Sequence, residues 1–135
     1  EHRFNRCNFN CFIFNFDNII TVASNWFIKI NNGLLNISIL HTSASLLIQE
    51  NADKDVLLDL IKYYNSIVPF KDKYKHSFEG IDDMPAHIKS SLTNTNLTLS
   101  IINSEINLGD WQGIYLFEHR FDKKKRKIFL HFMGN

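Results

Sequence analysis

The sequence predicts a single compact α+β domain with a mostly antiparallel sheet and about three helices. Three observations lead there. The length of 135 residues is that of one domain. Strand-favouring Phe (12) and Ile (17) are abundant against 5 Gly and 2 Pro. Strand-like segments stand at both ends of the chain with helical periodicities between them. At 44% hydrophobic and 21% charged, the chain can bury a core without covalent staples.

The elements follow in order. Cys7 to Phe16 starts as alternation, with Cys7, Phe9 and Cys11 against Asn8 and Asn10, and becomes continuously apolar, as a strand entering a core does. Ile19, Val22, Ala23, Trp26 and Ile30 keep the spacing of an amphipathic helix, capped by Asp17 or Asn18 and ended by Asn31-Asn32-Gly33. Leu34 to Leu40 reads as a buried strand delivering His41-Thr42-Ser43-Ala44-Ser45, and Leu46 to Gln49 as a second strand leading to Glu50-Asn51. Asp53 caps a helix carrying Val56, Leu57, Leu60, Ile61 and Tyr64 on one side and stopping before Pro69. Residues 70–82 read as loop. Pro85 suits the first turn of a short helix, Leu97 to Ile102 is a strand, and Asn103 to Asn107 is a turn. Trp111 to Glu118 and Lys127 to Met133 are the last strands, joined by a basic turn.

Fifteen basic and 14 acidic side chains leave a net charge of +1. Such a balance supplies no broad basic field for nucleic acid, and the run Lys123 to Lys127 reads as a solvated hairpin tip. No apolar run approaches the ~20 residues that a bilayer demands. Cys7 and Cys11, four apart on a strand, stand roughly 13 Å from each other, too far for a disulfide. The triplets Asn36-Ile37-Ser38 and Asn96-Leu97-Thr98 fall inside strands, where a glycan would block pairing. A reducing, cytoplasmic home fits these features, with an organelle as the other compartment that would.

Six histidines are many for this length. His2 is terminal and His131 sits inside the last strand, whereas His41, His76, His87 and His119 border turns or begin elements. Side chains launched from strand ends are where sites are built, and neutral imidazole can ligate a divalent metal or move a proton near pH 7. The spacing is not that of a zinc motif, so shared and isolated histidines are both open at this stage. His41-Thr42-Ser43-Ala44-Ser45 offers hydroxyls and N–H groups that suit a phosphate or simply cap a turn. Glu50, Glu79 and Glu118 stand at element ends as potential ligands or bases, and no nucleophile elbow surrounds Ser43.

The pattern Asn32-Gly33-Leu34-Leu35, His41-Thr42-Ser43-Ala44, Glu50-Asn51, His76, Glu79-Gly80, Ala86-His87-Ile88-Lys89, Leu108-Gly109, Trp111-Gln112-Gly113-Ile114, Glu118-His119-Arg120, Arg126-Lys127 and Gly134 resembles the UPF0047/YjbQ family from about residue 9 onward. It departs from that family at Asp110, where Thr is usual, and at two turns where Asn94 and Ser104 or Glu105 replace Gly. The resemblance implies a homotrimer with a His-lined cleft. It also implies a weak thiamine phosphate synthase activity, joining a pyrimidine diphosphate to a thiazole phosphate with loss of pyrophosphate, normally with Mg²⁺. On that basis His41, Glu50 and Glu118 are the expected catalytic residues. Thr42, Ser43, Asn51, Lys89, Trp111, Gln112 and Arg120 are expected to bind the ligand. His41, His76 and His87 are expected to hold a divalent metal, Mg or Zn. The expected partners are further copies of the chain and a small phosphorylated metabolite, without membrane or nucleic acid. The alternative is a non-catalytic module binding a phosphometabolite or a metal.

Overall fold

A computed structural model describes residues 2–10, 16–18, 31–122 and 124–135. The chain runs β1 (His2–Asn10), β2 (Phe16–Asn18), β3 (Gly33–Ile39), β4 (Ala44–Glu50), α1 (Lys54–Ile67), α2 (Asp83–Leu92), β5 (Asn96–Ile102), β6 (Glu105–Ile106), β7 (Gln112–Glu118) and β8 (Lys125–Gly134). The helix expected over 19–30 and the second cysteine, Cys11, lie outside the described residues.

Among the described residues the strands form two antiparallel sheets, of order β1-β8-β3-β5-β6 and β2-β7-β4. The single sheet suggested by the sequence is thus divided, because β3 and β4, although consecutive, pair with different partners. Leu40 to Ser43 carries the chain from one layer to the other. The core lies between the layers. Leu35, Ile37, Ile39, Leu99, Ile101, Ile128, Leu130 and Phe132 come from the first sheet, and Ala44, Leu46, Ile114 and Leu116 from the second. Their period of two is what alternation along a half-buried strand dictates.

Strand β7 breaks that alternation. Residues Gly113 to Glu118 are all buried, since α1 covers the face of the second sheet that would otherwise meet water. The Tyr64 ring lies edge-on to Phe117 at 5.4 Å. Asp53 caps α1 as expected, its Oδ1 accepting the Asp55 N–H at 2.9 Å. Asn103 and Ser104 form the β5–β6 reversal with φ of 51° and 68°, the two positive angles that a tight hairpin turn requires. Gly33 faces Gly134 across β3 and β8. A Cβ on Gly134 would stand 2.2 Å from the Asn32 carbonyl oxygen, so only glycine allows the two chains this approach. Asn36, within the first glycosylation-type triplet, spends its amide on Thr98 of the neighbouring strand at 3.0 Å.

Candidate metal centre and its ion-pair frame

The loop after α1 and the first turns of α2 build the site. Gly80, at φ 114°, turns the loop into the helix. Asp83 opens the helix and His87 stands four residues on, so both face one way. His76 approaches from the loop: its Nε2 lies 2.6 Å from Asp83 Oδ2, while His87 Nε2 lies 3.5 Å from the same oxygen. These three donor atoms fall within 4.8 Å of one another. The two imidazoles sit edge to face with centroids 5.5 Å apart.

Hydrogen bonding orients the rings. His87 Nδ1 bonds the Thr42 carbonyl oxygen at 2.9 Å. A carbonyl only accepts, so Nδ1 carries a proton and the ring turns Nε2 toward the Asp83 carboxylate, as a lone pair whenever the ring is neutral. In that neutral state two electron-rich atoms face each other across 3.5 Å, which invites a cation, and a backbone carbonyl on the far ring nitrogen is how metal-ligating histidines are usually oriented. His76 bonds a carboxylate oxygen, so its Nε2 donates in this geometry. Burial pushes the Asp83 carboxyl up. The His76 hydrogen bond and the nearby charges of Arg120, His87 and His76 outweigh it and hold Asp83 below the usual aspartate value.

Behind Asp83 lies a buried ion-pair frame. Arg120 pairs through Nη1 with Asp83 Oδ1, donates from Nε to Asp82 Oδ2 at 3.1 Å, and from Nη2 to the Glu79 carbonyl oxygen at 2.8 Å. Asp82 also accepts the Phe121 N–H at 2.7 Å, which is why it does not cap α2 with its side chain. Glu118 accepts four donors: the His119 and Arg120 N–H groups at 2.9 Å each, Arg126 Nε at 2.7 Å and Arg126 Nη2 at 2.5 Å. Arg126 further holds Ser43, through Oγ at 3.2 Å and the carbonyl at 3.1 Å. A charge buried this way needs each of these partners.

The expected site residues are therefore distributed, not gathered. His76 and His87 converge, with Asp83 in the place expected for His41. His41 stands nearby in sequence to Thr42, but its Nε2 lone pair accepts the Lys127 N–H at 2.7 Å and is not available to an ion. Burial, the Arg126 charge and, more weakly, Lys127 lower its pKa against the raising influence of Glu118. Arg120 was expected as a fork for phosphate; all three of its nitrogens are already committed to Asp82, Asp83 and Glu79. Glu118 is likewise saturated, which argues for scaffold over general base. Lys89 is 3% exposed and donates to Asn65 Oδ1 at 2.6 Å with its ammonium 4.3 Å from the Phe70 ring centre. Burial brings its pKa down to about 8, against the opposing charge of Asp82.

Glu50, Asn51, Trp111 and Gln112 form a separate group. The β4–β7 register pairs Glu50 with Gln112 and Ala44 with Glu118, so about 20 Å of strand separates this group from Ser43 and Glu118. Trp111 is 66% exposed, and Gln112 Oε1 accepts the Gly109 N–H at 2.8 Å.

Two groups escaped the sequence reading. Asp83 was missed, although Asp-x-x-x-His at the start of a helix is a spacing that places both side chains on one face. His119 was noted only as bordering a turn. It is buried, its Nε2 2.9 Å from Ser45 Oγ, its ring 4.2 Å from Phe117 and its Nδ1 without a hydrogen-bond partner among the described residues. Burial first, then the charges of Lys89 and Arg126, push its pKa down to about 3.

With this geometry in hand, the comparisons are consistent. The family model described as UPF0047 protein YjbQ-like matches residues 16–135. The chain belongs to the UPF0047 (YjbQ-like) family. A UPF0047 protein of Synechocystis sp. is 48% identical over 106 residues, covering 78% of this chain and 72% of that one. The UPF0047 protein YjbQ of Escherichia coli O157:H7 is 43% identical over 106 residues, covering 78% and 77%. The crystal structure of an uncharacterised YjbQ/UPF0047 protein from Clostridium acetobutylicum superposes with a TM-score of 0.86 at 30% identity, over 96% of this chain and 99% of that one. A YjbQ-like protein of unknown function from Sulfolobus solfataricus shares the fold with a TM-score of 0.89 at 17% identity, over 100% and 99%.

Proposed function

We propose that His76, Asp83 and His87 hold a divalent metal, and that the site they form binds the oxyanion of a small phosphorylated metabolite. The reaction class this favours is transfer of the thiamine phosphate synthase type, in which a diphosphate departs. The observation that carries the reading is the convergence of one donor atom each from His76, Asp83 and His87 within 4.8 Å, with the Thr42 carbonyl bonded to His87 Nδ1 so that Nε2 faces the Asp83 carboxylate.

The donor set fits an ion. Two imidazoles and one carboxylate are the three-ligand arrangement that leaves coordination positions open, and imidazole favours Zn²⁺, Fe²⁺ or Co²⁺ over Mg²⁺. Asp83 would bind through Oδ2 alone, because Arg120 retains Oδ1. His76 would ligate through Nε2 as the tautomer that carries its proton on Nδ1. A bound divalent ion supplies the positive charge that a departing diphosphate requires. That supply matters because Arg120 and Arg126 are spent within the frame. Arg120 fixes Asp83, Thr42 orients His87, and His76 stands half-exposed where it can meet a ligand.

A homotrimer in the cytoplasm completes the proposal. Leu34, Met133 and Ile102 share the outer face of the larger sheet and are 44–51% exposed, an apolar patch suited to a second copy. No helix among the described residues is long and apolar enough to cross a membrane. The purely binding alternative differs only in lacking turnover.

Titration of metal-free protein with Co²⁺, followed by visible absorption, tests the centre. One equivalent should bind, and His76→Ala and His87→Ala should each weaken binding by roughly a hundredfold or more. An unchanged affinity in both variants would remove the assignment. Formation of thiamine phosphate from the two phosphorylated precursors, dependent on the added metal, separates enzyme from binder.

A further inference from the structure

We infer that the cavity beside His76 seats the body of the ligand, and that this body is a compact, uncharged ring or short apolar group carrying its anionic group at one end only. The inference rests on the metal reading above and names the chemical class that site would take.

The cavity has a volume of about 270 Å³. That sits at the lower end for small-molecule sites and is too little for a dinucleotide. Its walls are Phe70, Tyr74, Ile81, Met84 and Pro85, and His76 forms part of the lining. A molecule seated there therefore reaches the imidazole proposed as a metal ligand, so one end can meet the ion while the remainder stays in the cavity.

The walls are fixed in advance. Phe70 packs against Phe121 with centroids 4.7 Å apart and carries the Lys89 ammonium 4.3 Å from its ring centre. Tyr74 donates its hydroxyl to the Pro69 carbonyl oxygen at 3.0 Å, so the phenol anchors its own ring and the ring alone is offered to a ligand. Pro85 belongs to the first turn of α2 and is fully buried, which ties the floor to the helix bearing Asp83 and His87. Rigid aromatic and aliphatic surfaces of this kind favour flat or apolar groups with little ordering cost.

Charge decides the remainder. Among the described residues, the side chains at the cavity that can carry charge near neutral pH are Asp72, Lys73 and His76, Tyr74 being a phenol whose pKa burial and Asp72 raise further; Asp72 and Lys73 are adjacent, exposed and opposite in sign. They offset one another and leave no net charge to hold an anionic body. A negative group on the ligand is accommodated at the metal end alone. Sugars rich in hydroxyls find few donors or acceptors here, since Ser77 is the one hydroxyl of the lining not spent on the backbone at Pro69.

The test compares phenyl phosphate with inorganic phosphate on zinc-loaded protein by calorimetry. Phenyl phosphate should bind at least about tenfold more tightly, the gain expected from burying part of a ring. Ile81→Trp should erase that preference by filling the cavity while leaving zinc affinity unchanged; Ile81 is 68% exposed, so the fold tolerates the replacement. Equal affinities on zinc-loaded protein, or a preference that survives Ile81→Trp, would overturn this inference and leave the metal reading standing. Protein that takes up no zinc overturns both. Phenyl phosphate binding equally well to the zinc-free protein also overturns it, because the cavity would then act apart from the metal.

Discussion

The two ends of the β4–β7 ladder carry the same density of family-motif residues and use them in opposite ways. At the Ala44–Glu118 end, charges are buried and matched: Glu118 takes four donors, and Arg126 ties it to Ser43. At the Glu50–Gln112 end, Asn51 and Trp111 face water and the hydrogen bonds join uncharged groups, with Asn51 Nδ2 donating to the Gln112 carbonyl oxygen at 3.2 Å and the Gly109 N–H to Gln112 Oε1 at 2.8 Å. A shared motif therefore mixes residues that hold the fold with residues left free to meet something else. Burial and saturation of donors tell the two kinds apart.

Four substitutions sharpen that contrast. Glu118→Ala should be the most damaging. It strands the Arg126 guanidinium and two backbone N–H groups in the interior, a loss of about 3–5 kcal/mol that urea unfolding measures. A loss below 1 kcal/mol would mean that the charged end is no more constrained than the other.

Acid should act next, through His119. The unfolded chain takes up a proton near pH 6.5, whereas the folded chain refuses it until about 3. Stability is thus fully present above pH 6.5 and falls as pH drops through that window, by about 3 kcal/mol between pH 6.5 and 4. His119→Gln should flatten the dependence over that interval. Asp83 contributes a separate loss lower down, below its unfolded value of 3.8, as its depressed carboxyl is protonated. An identical pH slope in wild type and His119→Gln would sink the assignment.

The open end should respond least. Gln112→Ala removes the bond to the Gly109 N–H and should cost about 1 kcal/mol. Trp111→Ala should change stability by less than about 0.5 kcal/mol, and thermal melts of the two variants check both. A collapse on loss of Trp111 would show that this end, too, is structural.

Much of the architecture was legible because local rules act locally. Asp53 caps its helix, Leu34 to Leu40 alternates as half of a core, and the turn at Asn103 and Ser104 takes the positive angles expected where Gly has been replaced. The division into two sheets was not legible, since nothing in the residues after Leu40 states which strand Ala44 to Glu50 will join. The burial of both faces of β7 follows from where α1 docks, which is a tertiary fact. At the site, the loop and helix-start histidines singled out by the sequence are the two whose rings converge on Asp83. Arg120 and Glu118 carried side chains suited to ligands, and only the three-dimensional pairing with Asp82, Asp83 and Arg126 revealed that their hydrogen-bonding capacity was already used.

The bond from His87 to Thr42 spans 45 residues of chain, whereas the three donor side chains all lie between positions 76 and 87. A peptide of that stretch would carry every ligand yet leave the His87 ring free to exchange tautomers and rotate. On the proposed metal reading, affinity at the centre would be a property of the docked chain, and mass action would make the coupling reciprocal: each ion bound to the native state alone would draw the population away from the unfolded one. The β3–β4 connection would then act as a latch, and the supply of metal would become one of the variables that set how long the protein persists.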